Sequence, residues 1–183
     1  MKIKFTLVAC TLCALSVSAF AKKPPKDDFK VVYDDVADIT MITHVDMELK
    51  SFYNLKDNVS GERENVRLFV SNGWLAMVAD YQNNEWLFTK SVVFLDGNGG
   101  RIKIDDGERK EEVKNFNTVF IRERYMAILD SESADKLYDI LQAEKPTVVF
   151  VGKNGRTDKF VIKPKVKAAM IATIEKWRSI QAE

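Results

Sequence analysis

Four tight-turn signals cut the middle and end of this chain into short apolar runs, and no other feature of the sequence restricts its fold so severely. They are Ser71-Asn72-Gly73, Asp96-Gly97-Asn98-Gly99-Gly100, Asp106-Gly107 and Lys153-Asn154-Gly155-Arg156. Around them stand Val66 to Val70, Trp74 to Ala79, Trp86 to Leu95, Arg101 to Asp105, Glu108 to Val113, Phe116 to Arg122, Tyr125 to Leu129, Thr147 to Val151 and Phe160 to Ile162. Asn-Gly and Asp-Gly supply the positive backbone angles that hairpin turns need. Runs joined so closely cannot lie parallel, because a parallel crossover takes about a dozen residues or more. Upstream, Ile39, Met41, Val45, Met47 and Leu49 occupy odd positions, with Asp38, Thr40, His44, Asp46 and Glu48 between them, which predicts a half-buried strand.

The last third adds helices. Ala134, Leu137, Tyr138 and Leu141 recur at helical spacing behind the capping candidates Asp130 and Ser131, and Pro146 marks the end. After Pro164, the residues Val166, Ala169, Met170, Thr173, Ile174 and Trp177 form one apolar stripe, and Trp177 is expected to seal one end of the core. The expected class is therefore α+β. It is a twisted antiparallel sheet or β-sandwich of about eight to ten short strands, with one short helix and a C-terminal amphipathic helix packed on the sheet. No internal repeat appears, which argues against solenoids and propellers.

The amino terminus bears on the compartment. Lys2 and Lys4 precede an apolar stretch from Phe5 to Val17, and Ala19-Phe20-Ala21 offers small residues where a signal peptidase reads them. The expectation is a signal peptide over residues 1–21, cleavage after Ala21 and a periplasmic or secreted product. Thr11, Ser16 and Ser18 dilute a run already shorter than the roughly 18 to 20 residues of a membrane span. Both cysteines, Cys10 and Cys13, fall in that segment, so the mature domain is expected to fold without disulfides and to lack thiol chemistry. Residues 22–28, KKPPKDD, read as a flexible tether, and residues 29–183 as a single globular β-rich domain. Without Lys2 and Lys4, the 28 Lys and Arg residues fall to 26 against 27 Asp and Glu, a formal charge of −1. No overall field then recruits nucleic acid, and none is expected as a partner.

Several constellations bear on chemistry. His44 is the single histidine, and on the predicted strand it shares a face with Asp46 and Glu48, a set able to serve as metal ligands or as a base with an orienting acid. One imidazole without thiols is a thin set for a transition metal, and a solvated strand face explains the same residues. Asp96 and Asn98 resemble the opening of a calcium loop, but the twelfth position is Gly107 where a bidentate acid is required. A glycine-rich hairpin turn accounts for them without an ion. No serine lies in a nucleophile elbow. The acids Asp105, Asp106, Glu108, Glu111 and Glu112 could nominally supply a glycosidase pair, yet they alternate with Arg101, Lys103, Arg109 and Lys110 as cross-strand pairs do.

A basic group comprising Lys153, Arg156, Lys159, Lys163, Lys165 and Lys167 suits an acidic protein or an anionic envelope component, or is simply the wet side of a hairpin and a helix. Trp74, Trp86 and Tyr81 read as core or sandwich-edge aromatics, although a carbohydrate binder would use such residues. The expected function is a non-catalytic binding or accessory module of the bacterial envelope that contacts a protein or surface polymer and needs no cofactor. A small hydrolase or metal-dependent enzyme centred on His44 is one alternative. An inhibitor or immunity-type protein is the other.

Overall fold

A computed structural model of the chain describes residues 28–48, 64–83, 85–116 and 118–183. The expected signal peptide, the tether except for Asp28 and the polar stretch around Ser60-Gly61 lie outside the described residues. The strands are Phe29–Asp34 (β1), Ile39–His44 (β2), Glu64–Ser71 (β3), Trp74–Asn83 (β4), Ser91–Leu95 (β5), Arg101–Ile104 (β6), Glu108–Phe116 (β7), Thr118–Leu129 (β8), Thr147–Val151 (β9) and Thr157–Val161 (β10). Helix α1 is Ser131–Leu141 and helix α2 is Pro164–Gln181. The strands form two sheets, ordered β1-β2-β3-β4-β8-β7 and β10-β9-β5-β6. Every pairing is antiparallel, and the α+β class holds.

The main core lies on one face of the larger sheet. Val66, Leu68 and Val70 of β3, Leu75, Met77, Ala79 and Tyr81 of β4, and Tyr125, Ala127 and Leu129 of β8 form its rows. They are closed off by Val92 and Phe94 of β5, Val148 and Phe150 of β9, Leu137 and Leu141 of α1, and Met170, Ile174 and Trp177 of α2. Helix α2 packs on β2, β3 and β4, and α1 on β5, β6 and β8. Each fully buried side chain of this size contributes about 1.5–3 kcal/mol, and the described residues contain no cysteine to add to it. Trp177 seals the end as its position on the stripe predicted, its indole N–H donating to the Gly73 carbonyl at 2.9 Å.

The centre of the opposite face is buried as well, whereas antiparallel sheets commonly leave one face to water. Met41, Phe69, Ala76, Val78 and Met126 form a second apolar cluster there. In the same rows the Asp80 carboxylate receives Arg124 in a forked pair, Nε to Oδ1 at 2.6 Å and Nη2 to Oδ2 at 3.0 Å. Arg67 bonds the same carboxylate, and all three side chains are buried. A buried carboxylate tolerates loss of water only with such partners.

Four expectations need correction. The first predicted strand ends at His44, because the His44 ring accepts the Asp46 N–H and turns Val45–Met47 into a 3-10 helix. The run Trp86 to Leu95 is a strand only from Ser91, its first half being a loop. Asp106-Gly107 does not close a hairpin: β6 pairs with β5 in the smaller sheet and β7 with β8 in the larger. Phe116 to Arg122 and Tyr125 to Leu129 belong to one unbroken strand, β8, which carries Glu123 and Arg124 inside the protein.

The last three of these differences share a cause in the way the chain changes sheets. It leaves the larger sheet after β4, returns after β6 and leaves again through α1. The return at residues 105–107 is held by Tyr125, whose phenol oxygen accepts the Gly107 N–H at 2.7 Å and donates to the Ile104 carbonyl at 3.3 Å. A methyl group on Gly107 would stand 2.3 Å from the Met126 carbonyl oxygen, so the close approach demands glycine.

Burial raises the Tyr125 pKa, opposed by the Gly107 N–H. The folded state therefore holds the proton more tightly, and its stabilising share is complete below about pH 10 and declines as the pH rises beyond it. Tyr125→Phe should lower unfolding stability by about 1–3 kcal/mol at neutral pH, since it leaves a half-buried N–H and a buried carbonyl unpaired. The deficit relative to the parent chain should shrink at alkaline pH. Urea unfolding of both chains across that range checks this, and a deficit independent of pH would contradict it.

Candidate functional site

The chain's first change of sheet, residues 85–90 between β4 and β5, is where backbone geometry is most unusual. Four non-glycine residues have positive φ among the described residues: Asp38, Asn72, Asn154 and Phe88. Asp and Asn adopt that region with little penalty, but a bulky aromatic does not. Phe88 sits there at φ 55.

What holds it is a buried carboxylate on the inward face of β8. Glu123 Oε1 accepts the N–H groups of Leu87 at 2.7 Å and Phe88 at 2.8 Å, and Oε2 accepts that of Thr89 at 2.7 Å. Three successive amides aimed at one anion form a nest. The loop's carbonyls are taken up by the β9–β10 turn. Lys153 N–H reaches the carbonyls of Leu87 and Phe88 at 3.1 Å each, and Arg156 Nη1 donates to that of Trp86 at 3.0 Å. Gly152 lets the two segments touch, since a methyl group there would meet the Leu87 oxygen at 2.1 Å. Leu87 itself points into the core.

With backbone and Leu87 tied inward, Trp86 and Phe88 are turned toward the surface. Their rings stack with centroids 5.4 Å apart and planes inclined 18°. Arg109 of β7 lies over the Phe88 ring at 5.3 Å and is braced by Glu111 at 2.6 Å. Arg156 Nη2 pairs with Glu85 at 2.9 Å on the rim. Phe88 remains 37 % exposed and Trp86 is half-buried. The arrangement can grip an apolar or planar group of a partner and offers guanidinium edges to acids around it.

The sequence-predicted sites fare differently. His44 is 8 % exposed, its Nδ1 accepts the Asp46 N–H at 3.1 Å, and its ring meets Phe29 edge-on at 5.3 Å. Asp46 pairs with Lys165 at 2.9 Å and Glu48 with Lys30 at 3.6 Å. Because the strand ends at His44, the three do not share a face. Among the described residues no group of three or more His, Cys, Asp or Glu side chains is placed to hold a metal ion. Asp96 Oδ1 accepts the N–H groups of Asn98 at 2.7 Å and Gly100 at 2.9 Å, so this carboxylate folds the turn that carries it.

The basic residues are dispersed. Lys153 and Arg156 join loop 85–90, and Lys159 is exposed on the edge strand β10. Lys163 precedes α2, Lys165 faces Asp46, and Lys167 Nζ donates to the Ala143 carbonyl at 3.0 Å. Glu123 was hidden because Glu123-Arg124 looks like a wet break between strands. The odd-numbered row Ile121, Glu123, Tyr125, Ala127 and Leu129 was the available signal. For Phe88 no signal existed, since nothing in its residue type marks a left-handed backbone.

Two substitutions isolate the strain. Phe88→Ala and Phe88→Gly both remove the ring, but only glycine relieves the backbone, so the glycine variant should be the more stable of the two by about 1 kcal/mol. Chemical denaturation of the pair reads this directly, and an alanine variant equal to or above the glycine variant would contradict it.

No protein-family model, no curated protein and no solved structure matches the chain.

Proposed function

We propose that this chain is a non-catalytic binding module, exported to the periplasm or beyond, that grips a partner protein through loop 85–90. The observation that carries this reading is the left-handed backbone of Phe88 under the three amide bonds to Glu123. Such a conformation costs a bulky residue about 1–2 kcal/mol, and glycine would avoid it. What the strain yields is presentation: Trp86, Phe88 and Arg109 in one stack on a loop whose backbone is already bonded. Aromatic and arginine side chains dominate the energetics of protein contacts, and a rigid loop loses little freedom on binding. Lys153, exposed beside the loop, favours an acidic group on the partner's rim.

The compartment rests on the amino-terminal pattern of Lys2, Lys4 and Ala19-Phe20-Ala21. An enzyme centred on His44 gains no support, because the ring, Asp46 and Glu48 each have a structural partner.

A benzophenone amino acid in place of Trp86, in cells producing the full chain, tests the reading. Irradiation should give one adduct of defined mass that is lost on adding Phe88→Ala, and none when the probe replaces the exposed Lys136 of α1. No adduct at position 86, or the same adducts at both positions, would contradict it.

A further inference from the structure

We propose that a second site, the cleft over Trp74, docks a basic segment of a partner polypeptide. It does not rest on loop 85–90: Trp74 opens β4 and the loop follows its other end, ten residues on, about 30 Å along the strand. Trp74 is 62 % exposed on the outward face of the larger sheet, and its neighbour Ile128 of β8 is 55 % exposed. These are large apolar side chains to leave in water, and their surroundings are rigid. The turn before Trp74 is pinned at the Gly73 carbonyl by Trp177 Nε1 at 2.9 Å and Gln181 Nε2 at 2.6 Å, both from the last turns of α2.

Two grooves of about 360 and 380 Å³ both have Trp74 in their walls and share Leu129 and Asp130. An extended chain crossing Trp74 can therefore lie in both. One groove has Ile104, Leu129 and Ile128 beside the indole as its apolar surface and Asp105, Asp106 and Asp130 as its acids, against one cation, Lys103. Lys103 Nζ is bound to Asp105 at 2.6 Å, and Lys136, the other cation acting on Asp130, is bound to Glu132 at 2.5 Å, so the groove keeps a net negative charge at Asp106 and Asp130. Bonds from Ser133 to the Asp130 carboxylate lower its pKa, so it stays charged at neutral pH.

The charge identifies the occupant. A neutral ligand would strip water from two carboxylates and return no charge. A lysine or arginine laid across Trp74 places its methylene stem on the indole, its cation over the ring and its N–H groups toward Asp106 and Asp130. Alternating apolar residues in the same segment would cover Ile128.

Fluorescence anisotropy with the full chain and a labelled hexapeptide of alternating lysine and leucine tests this. Binding should saturate, weaken with added salt, and fall about tenfold or more with Trp74→Ala and with the double variant Asp106→Asn/Asp130→Asn. Asparagine at 130 keeps the helix cap, so that variant should fold as the parent does. Equal binding of a glutamate–leucine peptide would overturn the proposal, as would indifference to all three substitutions. Tighter binding of a neutral oligosaccharide at the same residues would overturn it in favour of a glycan site.

Discussion

A chain that leaves one sheet for another must carry its backbone polar groups through a region with little water, and every buried N–H there needs a partner. Among the described residues the largest single share of that task falls on Glu123. Its two oxygens accept three consecutive amides of the β4–β5 connection, and it stands on β8 two residues from Tyr125, which holds the β6–β7 connection. Both first crossings between the sheets are thus fastened to the inward row of one strand. The third begins at that strand's end, where Asp130 caps α1 through the Ser133 N–H at 2.7 Å. β8 orders the smaller sheet as well as the larger.

The outward row of β8 has a different duty. Arg124 and Arg67 close on Asp80 beside the cluster of Met41, Phe69, Val78 and Met126, so the centre of the larger sheet is dry on both faces. A buried ionic set of this kind adds modest net stability, but removing one partner strands the others and is costly. It also fixes register, because a one-residue slip would drive these charges into the main core. Odd residues of β8 therefore fasten the crossings, and even residues hold the strand beside β4. The display of Trp86 and Phe88 follows from the odd row: the amides turned to Glu123 leave the aromatic side chains facing out.

Much of this architecture was legible in the residues. The hairpins at Asn72-Gly73, Asp96 to Gly100 and Asn154-Gly155, the cap at Asp130 and the stripe ending in Trp177 all stand where turn chemistry and periodicity placed them. These features are encoded within a few residues of themselves. What was not legible depends on partners far away in sequence. Asp106-Gly107 reads as a hairpin turn, and only the pairing of β7 with β8 makes it a crossing. Glu123 and Arg124 read as wet because charge usually is, and their partners lie 34 to 44 residues away. His44 looked like the centre of a polar face because alternation continued past it, while a ring nitrogen taking the Asp46 N–H ended the strand. Trp74 reads by residue type as core or sandwich edge, while Trp177 and Gln181, distant in sequence, hold its turn at the surface.

The claim that one carboxylate fastens the crossing and sets the display is tested most directly by amide hydrogen exchange at Leu87, Phe88 and Thr89, in the parent chain and in Glu123→Gln. The parent should protect all three as well as the central amides of β4 and β8, so that they open only with global unfolding. In the variant these three should exchange about a hundredfold or more faster, relative to those strands, since a neutral amide cannot accept the same three bonds. Rapid exchange at these positions in the parent chain, or unchanged protection in the variant, would contradict the account.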